Sequence, residues 1–193
     1  MRTGGIRGNE QLTVIAAALL VAGLAVEGAT LLDLRSFLTV HAFVGMLLIP
    51  IVALKLASVG WRMIRYYRGG AEYVTAGPPH VLLRSLVAPV IVVATVALFG
   101  TGVALLALGR TDGTLVGLHK AAFIVWLGAA AIHVLAHLAQ LRRSFVRGIP
   151  GAALRLAAVG AALAAGSAVA VGTLPGADRL QDRVTAHIGV DAH

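Results

Sequence analysis

Five histidines lie within or beside apolar stretches of this chain, and they are the residues most able to do chemistry. They are His41, His80, His119, His133 and His137. An ionisable side chain inside a bilayer is costly, so its presence usually marks a function. The imidazole nitrogen is also a common metal ligand. Several imidazoles on a few apolar segments therefore predict a bound metal cofactor.

The segments that carry these histidines are apolar enough to cross a membrane. The chain has 193 residues, of which 59% are hydrophobic and 12% charged, and its mean hydropathy is +0.90. A bilayer-spanning helix needs roughly 20 apolar residues. Five such spans are expected, at about Leu12–Leu32, Ser36–Trp61, Val81–Leu108, Leu115–Leu141 and Ala152–Leu174. The sequence thus predicts an all-α, polytopic membrane bundle: a single domain over residues 1–174, followed by a short polar tail over 175–193.

Basic residues in the short loops predict the orientation. Arginines cluster before the first span, after the second and after the fourth, at positions 2, 7, 62, 65, 68, 142, 143 and 147. Because Lys and Arg concentrate in cytoplasmic loops, this pattern predicts a cytoplasmic N-terminus and an extracytoplasmic tail. The net charge of +8 is therefore a signal of topology and not of nucleic-acid binding. We expect a multi-pass protein of the plasma (inner) membrane.

Two of the histidines are expected at the same depth. His41 lies six residues beyond Arg35, and His119 lies seven beyond Asp112, which is about 9–10 Å into the membrane for each at a rise of 1.5 Å per residue. Facing imidazoles on two helices can hold a haem iron from both sides. The absence of cysteine excludes thiolate sites, iron–sulfur clusters and covalently attached haem. The prediction is haem b between His41 and His119, with Gly45, one turn from His41, admitting the flat macrocycle.

The sequence allows more than one set of ligands for a second haem site deeper in the membrane. His133 follows His119 by 14 residues and shares its helix face, about 21 Å further along. The corresponding position after His41 is Lys55, which is a poor haem ligand while protonated. An inner haem could instead use His80 with His137, or His133 with another ligand. Lys55 either extends toward the inner headgroups or contacts a haem propionate or a quinone oxygen.

The residues between Trp61 and Pro79 are both aromatic and basic. This composition is typical of the belt of side chains at the cytoplasmic membrane surface. A quinone site or a partner-protein site at this loop has the same composition and stays open.

In His41 with Gly45, and in His119 with His133, the chain resembles the superfamily of membrane b-type cytochromes, which includes the cytochrome b561-like and hydrogenase-type cytochrome b subunits. The resemblance covers the second to fourth spans. It implies a helical bundle with one or two haem b groups that passes electrons to or from a partner protein or quinone. His41 and His119 would then be the outer-haem ligands and His133 an inner one. Lys55 departs from the pattern of a two-haem member, which favours a protein with one haem or one that uses His80 as an inner ligand.

Two other classes of function stay open. The same histidines could serve a metal or proton transporter, or they could only bond helices together in a membrane scaffold or assembly protein. No phosphate-binding loop, nucleophile elbow or HExxH motif occurs. If the protein belongs to an enzyme, we therefore expect it to be at most the electron-transfer subunit of an oxidoreductase.

Overall fold

A computed structural model describes residues 5–75, 83–144 and 152–190, with side chains described over 5–75, 85–136 and 152–186. All the regular structure in these ranges is helical, which confirms the predicted all-α class. The α-helices are α1 (Gly5–Thr30), α2 (Leu38–Tyr67), α3 (Ala71–Thr75), α4 (Ala88–Leu108), α5 (Gly113–Ser144) and α6 (Ala152–Val190). A 3-10 turn (Leu31–Asp33) follows α1, and a π-helical segment (Leu83–Val87) leads into α4.

Five of these helices are long and apolar enough to cross a membrane, namely all except α3. Many large apolar side chains on them face outward, among them Ile124, Leu135 and Leu154, each with about two-thirds or more of its surface exposed. Such exposure is unfavourable in water but suits contact with lipid tails. The chain is therefore a multi-pass membrane protein.

The bundle is organised around α2. Helix α2 packs between α1 and α6, and α4 packs mainly against α5. The buried core between α1 and α2 consists of Ala16, Leu20, Leu48 and Ile51. Small residues allow the close approach of α6: a Cβ placed on Gly166 would overlap the backbone carbonyl oxygen of Leu47. Without a hydrophobic force between helices in lipid, this kind of close packing is a main source of their association.

The fifth spanning helix is longer than the sequence indicates. We expect it to end at Leu174, before Pro175, but α6 continues through Pro175 to Val190. Residues 175–190 are thus a helical extension, and their extracytoplasmic location stays a prediction.

This extension is tied to two other parts of the bundle. Asp178 accepts a hydrogen bond from the Thr39 hydroxyl at 3.1 Å, and Gln181 bonds the backbone of Arg35 and Thr39. Arg183 donates to the carbonyl oxygen of Gly109 at 2.6 Å, where α4 ends in a left-handed glycine with φ of +64°. A cation at a helix C-terminus also complements the helix dipole. The extension therefore holds the start of α2 and the end of α4 in place.

The contact at Gly166 generates a stability prediction. Replacing Gly166 by Ala should lower the free energy of unfolding by about 1–3 kcal/mol, because the added methyl group forces α6 away from α2. The matched control is Gly160→Ala in the same helix, where an added Cβ meets nothing within 4 Å. Thermal unfolding in detergent, followed by circular dichroism, measures both variants. Equal stability of the two variants would contradict the close contact.

Candidate functional site

The structure brings His41 and His119 together. His41 lies in the first turn of α2 and His119 in the second turn of α5, so both sit near the same end of the bundle. The centroids of the two imidazole rings are 6.4 Å apart, and the ring planes are nearly perpendicular, at 88°. Both side chains are partly buried. The two histidines therefore form a pair inside the bundle, which we call the His41–His119 pair.

The partners of His41 determine which of its nitrogens carries the proton. Its Nδ1 lies 2.9 Å from the hydroxyl oxygen of Thr30. That hydroxyl donates its proton to the backbone carbonyl of Glu27 at 2.6 Å, so toward His41 it can only accept. The Glu27 carboxylate lies 2.6 Å from the same nitrogen. We infer that Nδ1 of His41 is protonated and that its lone pair is on Nε2.

The partners of His119 lead to the same tautomer. Its Nδ1 lies 3.1 Å from the backbone carbonyl oxygen of Leu98, which can only accept a hydrogen bond. The Thr101 hydroxyl oxygen lies 3.0 Å from the same nitrogen, and this hydroxyl donates to carbonyls of its own helix at Ala97 and Leu98. Nδ1 of His119 therefore carries the proton, and Nε2 carries the lone pair.

The two histidines thus share one arrangement. In each, a threonine from a neighbouring helix accepts from Nδ1 while its own hydroxyl bonds back to a carbonyl in the same helix or turn. Within the side chains that the structure describes, every hydrogen bond of the pair runs through Nδ1, and Nε2 has none. An imidazole whose Nδ1–H is held by an acceptor is oriented for metal ligation through Nε2.

The geometry suits a metal bound between the two rings. If a metal were bonded to one nitrogen of each ring at about 2 Å, on opposite sides, the two ring centroids would be about 6 Å apart. The observed separation of 6.4 Å agrees with that distance. Among the described residues no group of three or more His, Cys, Asp or Glu is arranged to hold a metal ion. The His41–His119 pair is thus a set of two imidazoles whose centroid separation is the size that a metal between them would require.

Two glycines lie close to the pair, and their lack of a side chain leaves room for its neighbours. A Cβ on Gly102 of α4 would lie 3.3 Å from Cε1 of His119, and a Cβ on Gly45 would lie 3.1 Å from the Glu27 carboxylate. In the structure Gly45 leaves room for the carboxylate beside His41, and its role in admitting a flat macrocycle stays a prediction. Gly102 leaves room for the His119 ring and was not predicted.

The structure describes only some of the other predicted site residues. His133 and Lys55 are both half-buried, on α5 and α2, and each follows its member of the pair by 14 residues. Halfway between His119 and His133, Trp126 donates to the Thr95 hydroxyl at 3.0 Å and ties α5 to α4. His80 and the side chain of His137 lie outside the described residues. The inner site stays a prediction.

Sequence reasoning missed Glu27, Thr30 and Thr101 as parts of the site. Glu27 offered a signal, because a carboxylate within an apolar run is as costly as a histidine. The threonines offered little, because a Thr hydroxyl in an apolar helix can always bond to a carbonyl of its own helix.

The contact between Thr101 and His119 generates a second prediction. Thr101→Val keeps the shape of the side chain but removes the acceptor, so it should cost about 1 kcal/mol of the free energy of unfolding. Thr173→Val is the matched control, since Thr173 bonds carbonyls of its own helix and no histidine. Chemical denaturation in detergent compares the two variants. A loss no larger for Thr101→Val than for Thr173→Val would show that the contact contributes nothing.

Comparisons with known protein families, with curated proteins and with solved structures find no match to this chain. What the His41–His119 pair does is therefore argued from its own geometry and chemistry. That geometry is a pair of partly buried imidazoles, 6.4 Å apart between ring centroids, each held through Nδ1 by a partner on a neighbouring helix.

Proposed function

We propose that this protein is a membrane electron-transfer cytochrome in which His41 and His119 are the axial ligands of haem b. The observation that carries the proposal is the pair itself, with a centroid separation of 6.4 Å and a proton on Nδ1 of each ring. A six-coordinate, low-spin haem iron takes two axial donors, and two imidazoles with their lone pairs on Nε2 would supply them. The apolar helices around the pair suit the flat, largely apolar macrocycle.

The chain's own residues have distinct tasks in this proposal. Bound haem b would supply a one-electron carrier at its iron. Thr30 and the Leu98 carbonyl, by accepting from Nδ1, hold each ring in the ligating tautomer and in one orientation. Glu27 places a carboxylate oxygen 2.6 Å from His41 Nδ1, which favours the proton on that nitrogen and the lone pair on Nε2.

The wider role follows from this assignment. The protein would lie in the plasma (inner) membrane with its N-terminus in the cytoplasm and pass electrons between a partner protein or quinone and an acceptor. It would be the electron-transfer subunit of an oxidoreductase. One haem per chain is proposed from the His41–His119 pair, and a second would require an inner site built on His133 or on His80 with His137.

A second candidate function is a membrane scaffold or assembly protein. The interhelical hydrogen bonds of the two histidines favour it, because Thr30–His41 and Thr101–His119 each join two helices without any cofactor. In this case the two histidines would contribute only to the free energy of unfolding, by joining neighbouring helices.

Absorption spectroscopy separates the two candidates. We expect the purified full-length protein, reduced with dithionite, to show the sharp α-band of low-spin haem b, with one haem per chain by pyridine haemochrome assay. His41→Ala and His119→Ala should each abolish that band, because one axial ligand cannot keep the iron low-spin. His133→Ala should leave it unchanged if there is one haem.

Circular dichroism of the same variants is the control for folding. A protein that folds but takes up no haem, even when haem is supplied during expression, would contradict the cytochrome assignment. Retention of the α-band in folded His41→Ala and His119→Ala would contradict the ligand assignment.

A further inference from the structure

A basic and aromatic cluster lies at the opposite end of α2 from His41. There the chain reverses through Gly69, whose φ is +74°, and Gly70, whose N–H donates to the Arg65 carbonyl at 3.0 Å. The reversal starts the short helix α3 and returns Tyr73 to the end of α2. Tyr73 is buried there, with 8% of its surface exposed.

Arg65 is held between two aromatic rings. Its guanidinium carbon lies 6.0 Å from the centroid of the Trp61 ring and 5.8 Å from that of Tyr73. Both distances are within the range of a cation–π interaction. Trp61 is one helical turn before Arg65 and Arg68 is one turn after it, so all three share a face of the helix end. We call Trp61, Arg65, Arg68 and Tyr73 the Arg65 cluster.

Among the described residues, no carboxylate balances the positive charge of this cluster and of the neighbouring Arg62. Within the described part of the chain, Arg62, Arg65 and Arg68 form no ion pair with a carboxylate. Three adjacent guanidinium groups repel one another, and the C-terminal dipole of α2 offsets only part of that repulsion. An anion from outside the chain would complete the site.

We propose that the Arg65 cluster binds the phosphate of an anionic phospholipid. A guanidinium whose plane is fixed by stacking can donate two parallel hydrogen bonds to phosphate oxygens. Trp61, which is 54% exposed, is the residue type that occupies the headgroup level of a bilayer. Beside the cluster, the side chain of Ile64 is 48% exposed and offers an apolar surface for an acyl chain. This surface favours a lipid over free phosphate.

The test uses the full-length protein in mixed micelles. Thermal unfolding is followed by circular dichroism while phosphatidylglycerol or phosphatidylcholine is titrated in, and the midpoint shift gives an apparent affinity for each lipid. We expect phosphatidylglycerol to stabilise the protein and phosphatidylcholine to do so much less. Arg65→Gln and Arg68→Gln should each weaken the phosphatidylglycerol response about fivefold, the factor for one basic residue at an anionic surface.

Two further variants separate a built site from general charge attraction. Arg65→Lys keeps the charge but loses the planar fork, and it should weaken the response nearly as much as Arg65→Gln. Arg110→Gln removes an exposed arginine at the other end of the bundle and should change nothing. Unfolding midpoints without lipid should be similar for all variants, which controls for folding.

Three outcomes would overturn the proposal. They are equal stabilisation by the two lipids, a full response in Arg65→Lys, and the same stabilisation by inorganic phosphate alone. The last would mean that the site takes free phosphate. None of these outcomes depends on haem, so the proposal stands or fails separately from the cytochrome assignment.

Discussion

A polar group inside a membrane bundle must find its hydrogen-bond partner within the protein, because hydrocarbon offers none. The His41–His119 pair meets this requirement through its Nδ1 atoms. Thr30 and Thr101 are suited to the task, since each donates its only proton to a carbonyl in its own helix or turn and so presents an acceptor to the histidine. The same bonds that satisfy Nδ1 leave the lone pairs on Nε2. In the proposed cytochrome, the hydrogen bonds that satisfy the Nδ1 donors would therefore also prepare the Nε2 atoms to bind the iron.

The rest of the bundle places these partners. Helices α1 and α4 carry the acceptors, while α2 and α5 carry the histidines, so all four must keep their relative rotation. The extension of α6 supports this by bonding the start of α2 through Asp178 and Gln181 and the end of α4 through Arg183. Close packing of α6 on α2 at Gly166 fixes the same helix from the side. The position of the pair thus also depends on the contacts that α6 makes with α2 and α4.

The sequence predicts the five apolar helices well, because twenty-residue apolar runs between basic loops have few alternatives. It also predicts the equal depth of His41 and His119, since helix rise converts residue counts into distance. It does not predict the partners of Nδ1, because which threonine faces which histidine depends on the rotation of each helix about its axis. The proximity of Gly45 to Glu27 cannot be predicted for the same reason, because Glu27 comes from another helix. The sequence predicts that the last helix ends before Pro175. A membrane-spanning helix tolerates proline, however, and α6 continues through this residue.

The central claim is that His41 and His119 bind one iron from both sides, with nearly perpendicular ring planes. Electron paramagnetic resonance of the oxidised full-length protein at low temperature tests it most directly. Perpendicular imidazole planes keep two iron d orbitals close in energy, so the account predicts a low-spin ferric signal with large anisotropy. A rhombic low-spin signal would contradict the ring geometry. A high-spin signal, or none from haem iron in a folded protein, would contradict the ligation itself.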